Sequence, residues 1–341
     1  MRTILVTGGA GYIGSHTVVE LQNQNYNVVI ADNLSNSNEK VIDAICQITG
    51  KKPEFIKADL SDQSDCKKVF DAFPQIEAVI NFAAYKAVGE SCEKPLDYYK
   101  NNLGILLNVL QQMKERGIKY FVQSSSCTVY GEPEVLPVRE SSPIQQATSP
   151  YGNTKQMAED ILRFTAMAKQ VKAIALRYFN PVGAHESALI GELPNGVPNN
   201  LMPFITQTAA GIRKQLTVFG NDYPTPDGTC IRDFIHVVDL AKAHVVAINR
   251  FFENKNKADF EYFNIGTGRG YSVLELINSF EKTTGVKLNY TIGERRQGDI
   301  TQIWADTTVS EQELGWKAEM DIDQMTLSAW KWQQHLDKTP F

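Results

Sequence analysis

The sequence predicts an α/β protein: a doubly wound parallel sheet with a smaller, interleaved α/β region toward the C-terminus. Three observations carry this reading. The chain opens with a β-prone apolar run, Thr3–Thr7, a glycine-rich turn and a helical pattern over 15–23. Short apolar runs bounded by polar turns then recur at 28–31, Glu54–Lys57, 78–82, 120–123 and 173–178. Helical stretches separate them, the alternation expected of a parallel sheet with helices on both faces. Beyond Asn180 the texture changes, with Pro181, Pro194, Pro198, Pro203, Pro224 and Pro226 set among glycines and asparagines.

The first domain is therefore expected over 1–180. The apolar stretch 234–248 reads as a strand or turn followed by a helix, so 234–260 is expected to return to that domain. Residues 181–233 and 261–341 are left for the second, loop-rich part. No repeat, low-complexity tract or clean linker separates the two, which favours interleaved lobes around one cleft.

Composition sets the outer limits. A chain of 341 residues, 43% hydrophobic and 21% charged, has an ordinary globular make-up and enough length for a large core. Its 34 basic and 39 acidic side chains leave a formal charge of -5, so nucleic acid and polyanionic membrane surfaces are poor partners. Five cysteines are scattered without a C-x-x-C pair or a nearby histidine set, which points to reduced thiols and no metal site. The N-terminal apolar run is too short for a signal peptide, and no run reaches about 18 apolar residues. A cytoplasmic location is expected.

The glycines at 8, 11 and 14 form G-x-x-G-x-x-G between a strand and a helix. Glycine allows a tight turn and close approach of a pyrophosphate, whose charge suits the free N–H groups of the helix end. Asp32 ends the next strand 18 residues past Gly14. A carboxylate there can accept both adenosine ribose hydroxyls and would repel a 2′-phosphate, so a Rossmann-type site for NAD is expected rather than one for NADP. Asp59, after the third strand, reads equally as an adenine contact or a helix N-cap. Phe82, Ala83 and Ala84 would let backbone run against a dinucleotide or simply pack, and Lys86 would meet a phosphate or solvent.

Tyr151 and Lys155 are four residues apart, one helical turn, and so share a face. A free tyrosine is only about 0.1% phenolate at pH 7, and a neighbouring ammonium favours the ionised form. Ser124, Ser125 and Ser126 close the fifth strand about 25 residues upstream. Ligands bind at the carboxyl ends of parallel strands, so these hydroxyls should overlook the same crevice.

At this point the chain resembles the extended short-chain dehydrogenase/reductase family, and within it the branch of UDP-glucose 4-epimerases. The resemblance runs nearly end to end: TGGAGYIGSHT (7–17), KAVGES (86–91), SSSCTVYG (124–131), SPYGNTK (149–155), RYFNPVGAH (177–185), PNNLMP (198–203), FGNDYPTPDGT (219–229), RDFIHVVDLA (232–241) and RRQGD (295–299). It implies tightly held NAD, Tyr151 as base, Lys155 supporting it and the cofactor ribose, and Ser126 bonding the reacting sugar hydroxyl. Further cofactor contacts are implied at Tyr12, Ile13, Asn33, Asn36, Ser37, Leu60, Asn101, Tyr178 and Phe179, besides Asp32, Asp59, 82–84 and Lys86.

The implied reaction oxidises and re-reduces carbon 4 of a UDP-sugar, interconverting UDP-glucose and UDP-galactose. UDP and sugar contacts are implied at Lys86, Asn180, Asn200, Leu201, Thr217, Arg232, Arg296 and Asp299, with Phe219 stacking on uracil. Arginines suit a diphosphate because their paired donors match its oxygens. Ile303, smaller than a tyrosine, is expected to wall a sugar pocket with some room for an N-acetyl group. His185 and His236 are assigned no chemistry. A homodimer is expected through the helical stretches 103–113 and 157–164.

Two rival functions would draw on the same residues. Related 4,6-dehydratases carry T-D-E-V-Y-G where this chain has Ser126-Cys127-Thr128-Val129-Tyr130-Gly131. Cysteine and threonine cannot replace a carboxylic acid and carboxylate in removing water. A silent NAD-binding protein is disfavoured by the retention of Ser126, Tyr151 and Lys155.

Overall fold

A computed structural model describes residues 1–296 and 299–339. Gln297 and Gly298 of the RRQGD stretch, and the last two residues of the 261–341 region, lie outside the described residues.

The elements follow in chain order: β1 (Thr3–Thr7), α1 (Tyr12–Asn23), β2 (Asn27–Asp32), α2 (Lys40–Thr49), β3 (Glu54–Lys57), α3 (Gln63–Ala72) and β4 (Ile76–Asn81). Then come α4 (Val88–Glu93), α5 (Pro95–Arg116), β5 (Tyr120–Ser126), α6 (Pro150–Met167), β6 (Lys172–Tyr178), β7 (Asn180–Val182), α7 (Leu201–Ala209) and β8 (Leu216–Phe219). The remainder is β9 (Ile231–His236), α8 (Val237–Phe252), β10 (Phe260–Ile265), β11 (Gly270–Ser272), α9 (Val273–Thr284), β12 (Tyr290–Gly293), β13 (Gln302–Ile303) and α10 (Ile322–Lys338).

The central sheet has the order β10-β6-β5-β4-β1-β2-β3, and every pairing in it is parallel. Strands covered on both faces read as near-continuous apolar runs, and β1, held between β4 and β2, is buried throughout. At the edge, β3 keeps charged ends, Glu54 and Lys57, which discourage further strand pairing. The helices divide between the faces. Val18, Leu21, Ile45, Leu240 and Ile248, from α1, α2 and α8, form one core, while Val69, Phe70, Val109, Met113 and Leu162, from α3, α5 and α6, form the other. Each fully buried aliphatic or aromatic side chain contributes roughly 1.5–3 kcal/mol. The strand order reverses between β1 and β4, and the crevice beyond their carboxyl ends is where such a sheet binds ligands.

The second lobe is built on a sheet of β11, β9 and β13, to which β7 adds, with a separate β8–β12 pair. Its core gathers Met202, Ile205, Phe234, Leu276, Phe280 and Met325 from α7, β9, α9 and α10.

The predicted boundaries need correction in one place. The return to the first lobe starts with helix α8, because 234–236 belongs to β9 of the second sheet. It ends at Ile265 rather than 260, because β10 pairs with β6 as the seventh strand of the central sheet. β10 is an edge strand with only its last three residues buried, so its sequence lacks the apolar run that marks the inner strands. α8 was legible because its apolar residues repeat at helical spacing and pack on α1.

Candidate active site

The glycine turn sits at the reversal point. Gly8 adopts φ +67 and its N–H bonds to Ala31 O at 2.8 Å, tying the turn to the end of β2. A Cβ on Gly14 would lie 2.3 Å from Gly8 O, and one on Gly8 2.8 Å from Ala83 N. A side chain on Gly8 would close the space between the β1 turn and the residues after β4, and one on Gly14 would force α1 away from the turn. Helix α1 starts after Gly11 with no side-chain cap and no acidic residue in its first turn. Its N–H groups and positive dipole end are thus available to an anion.

Asp32 stands opposite. Its carboxylate accepts Ala10 N at 3.1 Å, Leu34 N at 2.9 Å and Ser37 Oγ at 2.8 Å, which fixes its plane and locks the following loop. The same cleft is lined by Gly11, Tyr12, Ile13, Asn33, Asn36 and Ser37 on one side. Asp59, Leu60, Phe82, Ala83, Ala84, Lys86 and Asn101 continue it. Asp59 accepts Ser61 N and Ser61 Oγ, whereas the N-cap of α3 is Asp62, so the capping alternative for Asp59 falls away.

At the far end of the cleft lie Ser124, Tyr151, Lys155 and Tyr178. Ser149 caps α6 by accepting Gly152 N at 3.1 Å and Pro150 occupies its first turn, which sets Tyr151 at the helix start facing β5. Ser91 Oγ accepts Tyr151 N at 3.2 Å. Lys155 is buried, donates to Ser124 O at 2.8 Å and holds its ammonium 5.6 Å from the Tyr151 ring centre. The Ser124 hydroxyl meets Tyr178 Oη at 2.5 Å.

Burial dominates the electrostatics here. It drives the Tyr151 phenol well above its ordinary value, with Tyr178 adding to the rise and a hydrogen bond with Ser126 opposing it. Burial also pushes the Lys155 ammonium down to about 8, against which the Glu159 carboxylate pulls it up. Glu159 went unnoticed in the sequence, although it lies one turn beyond Lys155. It accepts Ser125 Oγ at 2.6 Å and forms a buried, multiply bonded pair with Arg177, which in turn donates to Tyr130 Oη at 3.0 Å. This network clamps α6 onto β5 and β6.

The expected UDP contacts fall into three groups. Asn200 occupies the N-cap position of α7, ahead of Leu201, but its side chain does not cap the helix; Asn200 Nδ2 instead donates to Glu192 Oε1 at 2.6 Å. Arg232 on β9 and Arg296 converge on one carboxylate: Arg296 Nη2 lies 2.8 Å and Arg232 Nη2 3.8 Å from Asp299 Oδ1. Thr217 and the exposed Phe219 belong to β8.

Among the described residues, the glycine-loop cleft is not lined by Ser126, Phe179, Asn180, Leu201, Thr217, Phe219, Arg232, Arg296, Asp299 or Ile303. Phe179 and Ile303 are 3% and 2% exposed and pack with Val129, Tyr130 and Val138 in a small core behind the site. The cleft also holds residues the sequence did not suggest, Ser35, Glu192 and Asn195 among them. They sit in loops without a motif, where no spacing rule points to them. Among the described residues, no group of three or more His, Cys, Asp or Glu is placed to hold a metal ion.

A helix end stripped of side chains and counter-charge, facing a rigid strand-end carboxylate, fits the pyrophosphate and ribose of NAD. With a Tyr/Lys pair over the other end of the cleft, the class is an NAD-dependent enzyme that works by proton and electron-pair transfer at a hydroxyl-bearing carbon. Residues 4–266 match the NAD dependent epimerase/dehydratase family, and the chain belongs to it.

Similar proteins extend the match to the whole length. A UDP-glucose 4-epimerase of Haemophilus influenzae is 50% identical over 336 residues, 98% of each chain. That of Bacillus subtilis is 51% identical over 331 residues, 97% of this chain and 96% of the relative. A crystal structure of UDP-glucose 4-epimerase from Stenotrophomonas maltophila with bound NAD and formylated UDP-arabinopyranose aligns at TM-score 0.95, with 47% identity and 99% of both chains covered. One from Bifidobacterium longum in complex with NAD+ and UDP aligns at 0.94, with the same identity and coverage.

Proposed function

We infer that the chain interconverts UDP-glucose and UDP-galactose with NAD as its cofactor. The observation that carries this is the placement of Tyr151 and Lys155 at the end of the cleft that begins at the glycine turn. NAD, when bound, supplies a reversible two-electron acceptor for carbon 4.

The chain's own groups handle the proton and the geometry. Tyr151 Oη takes the proton of the 4-hydroxyl and later returns it, with Ser126 sharing the hydrogen bond. A buried phenol resists ionising, so Lys155 has to stay charged beside it, and the Glu159 carboxylate helps by raising the lysine. Inversion requires the sugar to present its other face to the same tyrosine, while Asn180, Asn200, Arg232 and Arg296 keep the UDP fixed. Asp299 aligns the two arginines. Residues 1–180 with the return through Ile265 form the NAD-binding part, and 181–233 with the remainder form the UDP-sugar part.

Dehydration is disfavoured at the positions that would perform it. Burial pushes the Cys127 thiol up to about 12, so it is neither acid nor base at neutral pH, and Thr128 Oγ1 is buried with no hydrogen-bond partner among the described residues. Ile303 shapes the sugar pocket from the layer behind it, leaving limited room for an N-acetyl group, so slower turnover of the N-acetylated pair is expected.

A cytoplasmic homodimer is part of this reading. Among the described residues no helix is long and apolar enough to cross a membrane. The dimer contact uses the outer faces of α5 and α6, where Leu107, Met157, Phe164 and Met167 are exposed.

Product analysis after incubation with UDP-galactose, and separately with UDP-N-acetylgalactosamine, tests the reading. UDP-glucose should form with no net NADH. A product lacking one water, or none at all, would overturn it.

A further inference from the structure

One carboxylate that no motif marks bonds to two groups expected to serve the ligands and acts through its charge on a third. Glu192 Oε1 accepts Asn200 Nδ2 at 2.6 Å and Lys86 Nζ at 3.3 Å, and its charge helps hold the Tyr12 phenol up. These partners come from distant places: the start of α7, the segment after β4 and the first turn of α1. The Glu192 side chain is only 12% exposed, against 50% for Lys86. A shielded carboxylate needs such partners, since an unpaired one would be strongly disfavoured.

Glu192 also sits at the root of a strap. Gly191 rests on the Trp332 ring so closely that a Cβ would lie 2.5 Å from it, and Trp332 Nε1 donates to Glu192 O at 2.9 Å. From this anchor on α10 the chain crosses the cleft through Leu193, Pro194, Asn195, Val197 and Asn199, all lining it, before entering α7. Asn195 Nδ2 reaches Ser35 O, on the loop locked by Asp32, at 3.3 Å. The strap thus bridges the two lobes, pinned at its root and tied across the cleft by two side-chain links. The charged link is Glu192 with Lys86; the neutral one is long and exposed.

We propose that Glu192 is a latch that holds the 192–200 strap over the cleft through Lys86 and so sets the rate at which NAD leaves. This rests on the cofactor reading above. The latch is electrostatic and partly open to solvent, so salt should loosen it. It also makes Glu192 a positioning residue for Lys86, whose ammonium it keeps at the mouth of the cleft.

The experiment measures exchange of bound NAD for isotopically labelled NAD in the purified holoprotein, by rapid desalting and mass spectrometry, at low and high salt. Exchange should quicken at least about tenfold in Glu192→Gln, and the acceleration by salt seen in the parent should be lost. Glu192→Asp, which keeps the charge but draws it away from Lys86, should fall between the two; it decides the matter if Glu192→Gln does not fold by circular dichroism. Exchange at the parental rate in the folded variants, or unchanged salt dependence in Glu192→Gln, would overturn the latch while leaving the cofactor reading intact. A parent protein that retains no NAD would overturn both.

Discussion

Tyr151 carries a conflict that the fold resolves only in part. Burial opposes its ionisation, and the same burial brings Lys155 down to about 8. The pair is therefore poised with a reluctant base beside a cation that is nearly ready to lose its proton. Tyr151→Phe removes the acceptor without disturbing the backbone bond to Ser91, so turnover of UDP-galactose should fall about 10²–10⁴-fold. Bound NAD, measured by release and absorbance, should stay near the parental amount. Lys155→Met removes the cation that favours the phenolate. The alkaline-going rise in activity should then move to higher pH, and a rate–pH profile at saturating substrate checks this. An unmoved profile would deny Lys155 its electrostatic role.

At the scale of elements, legibility followed repetition. The glycine turn with β1 and α1, and the Tyr151/Lys155 helix turn, were readable because local spacing dictates them. The Arg177–Glu159–Ser125 clamp was not, because it joins α6 to two strands by tertiary contact alone. β10 was hidden by its edge position, and the strap was hidden because loops carry no period. Helices α5 and α6 show the limit from the other side, since their apolar stripes exceed what the sheet covers. Leu107 and Phe164 are 52% and 57% exposed, and a surface of this kind calls for a partner. The double variant Leu107→Glu/Phe164→Glu puts charges on that surface. Light scattering should give the mass of two chains for the parent and of one for the variant, with secondary structure unchanged.

At the scale of the molecule, the two lobes are joined through buried groups whose charge states were invisible in the sequence. Motif positions located His236 and left His16 unmarked, and nothing in the spacing revealed that burial lowers them to about 4 and about 3. His244, on α8 between the Phe82 and Tyr178 rings, is lowered to about 4 for the same reason, and its Nε2 has no hydrogen-bond partner among the described residues. The unfolded chain protonates such a histidine near pH 6.5, whereas the folded one resists until about 4. The unfolded state thus binds more protons over this window, and stability falls as pH drops through it. Each histidine contributes about 1.4 kcal/mol per pH unit at most. Half-buried carboxylates with raised values, such as Glu20 and Glu140, work in the opposite direction, so the net slope of the parent is a balance. A single replacement isolates one contribution. His244→Phe keeps a ring against Phe82 and removes the titrating nitrogens. Relative to the parent, its stability to urea should rise as pH is lowered from 6 to 4.5, by up to about 1.4 kcal/mol for each unit. Parallel stability curves for the two proteins over that range would show that His244 does not remain neutral in the folded chain.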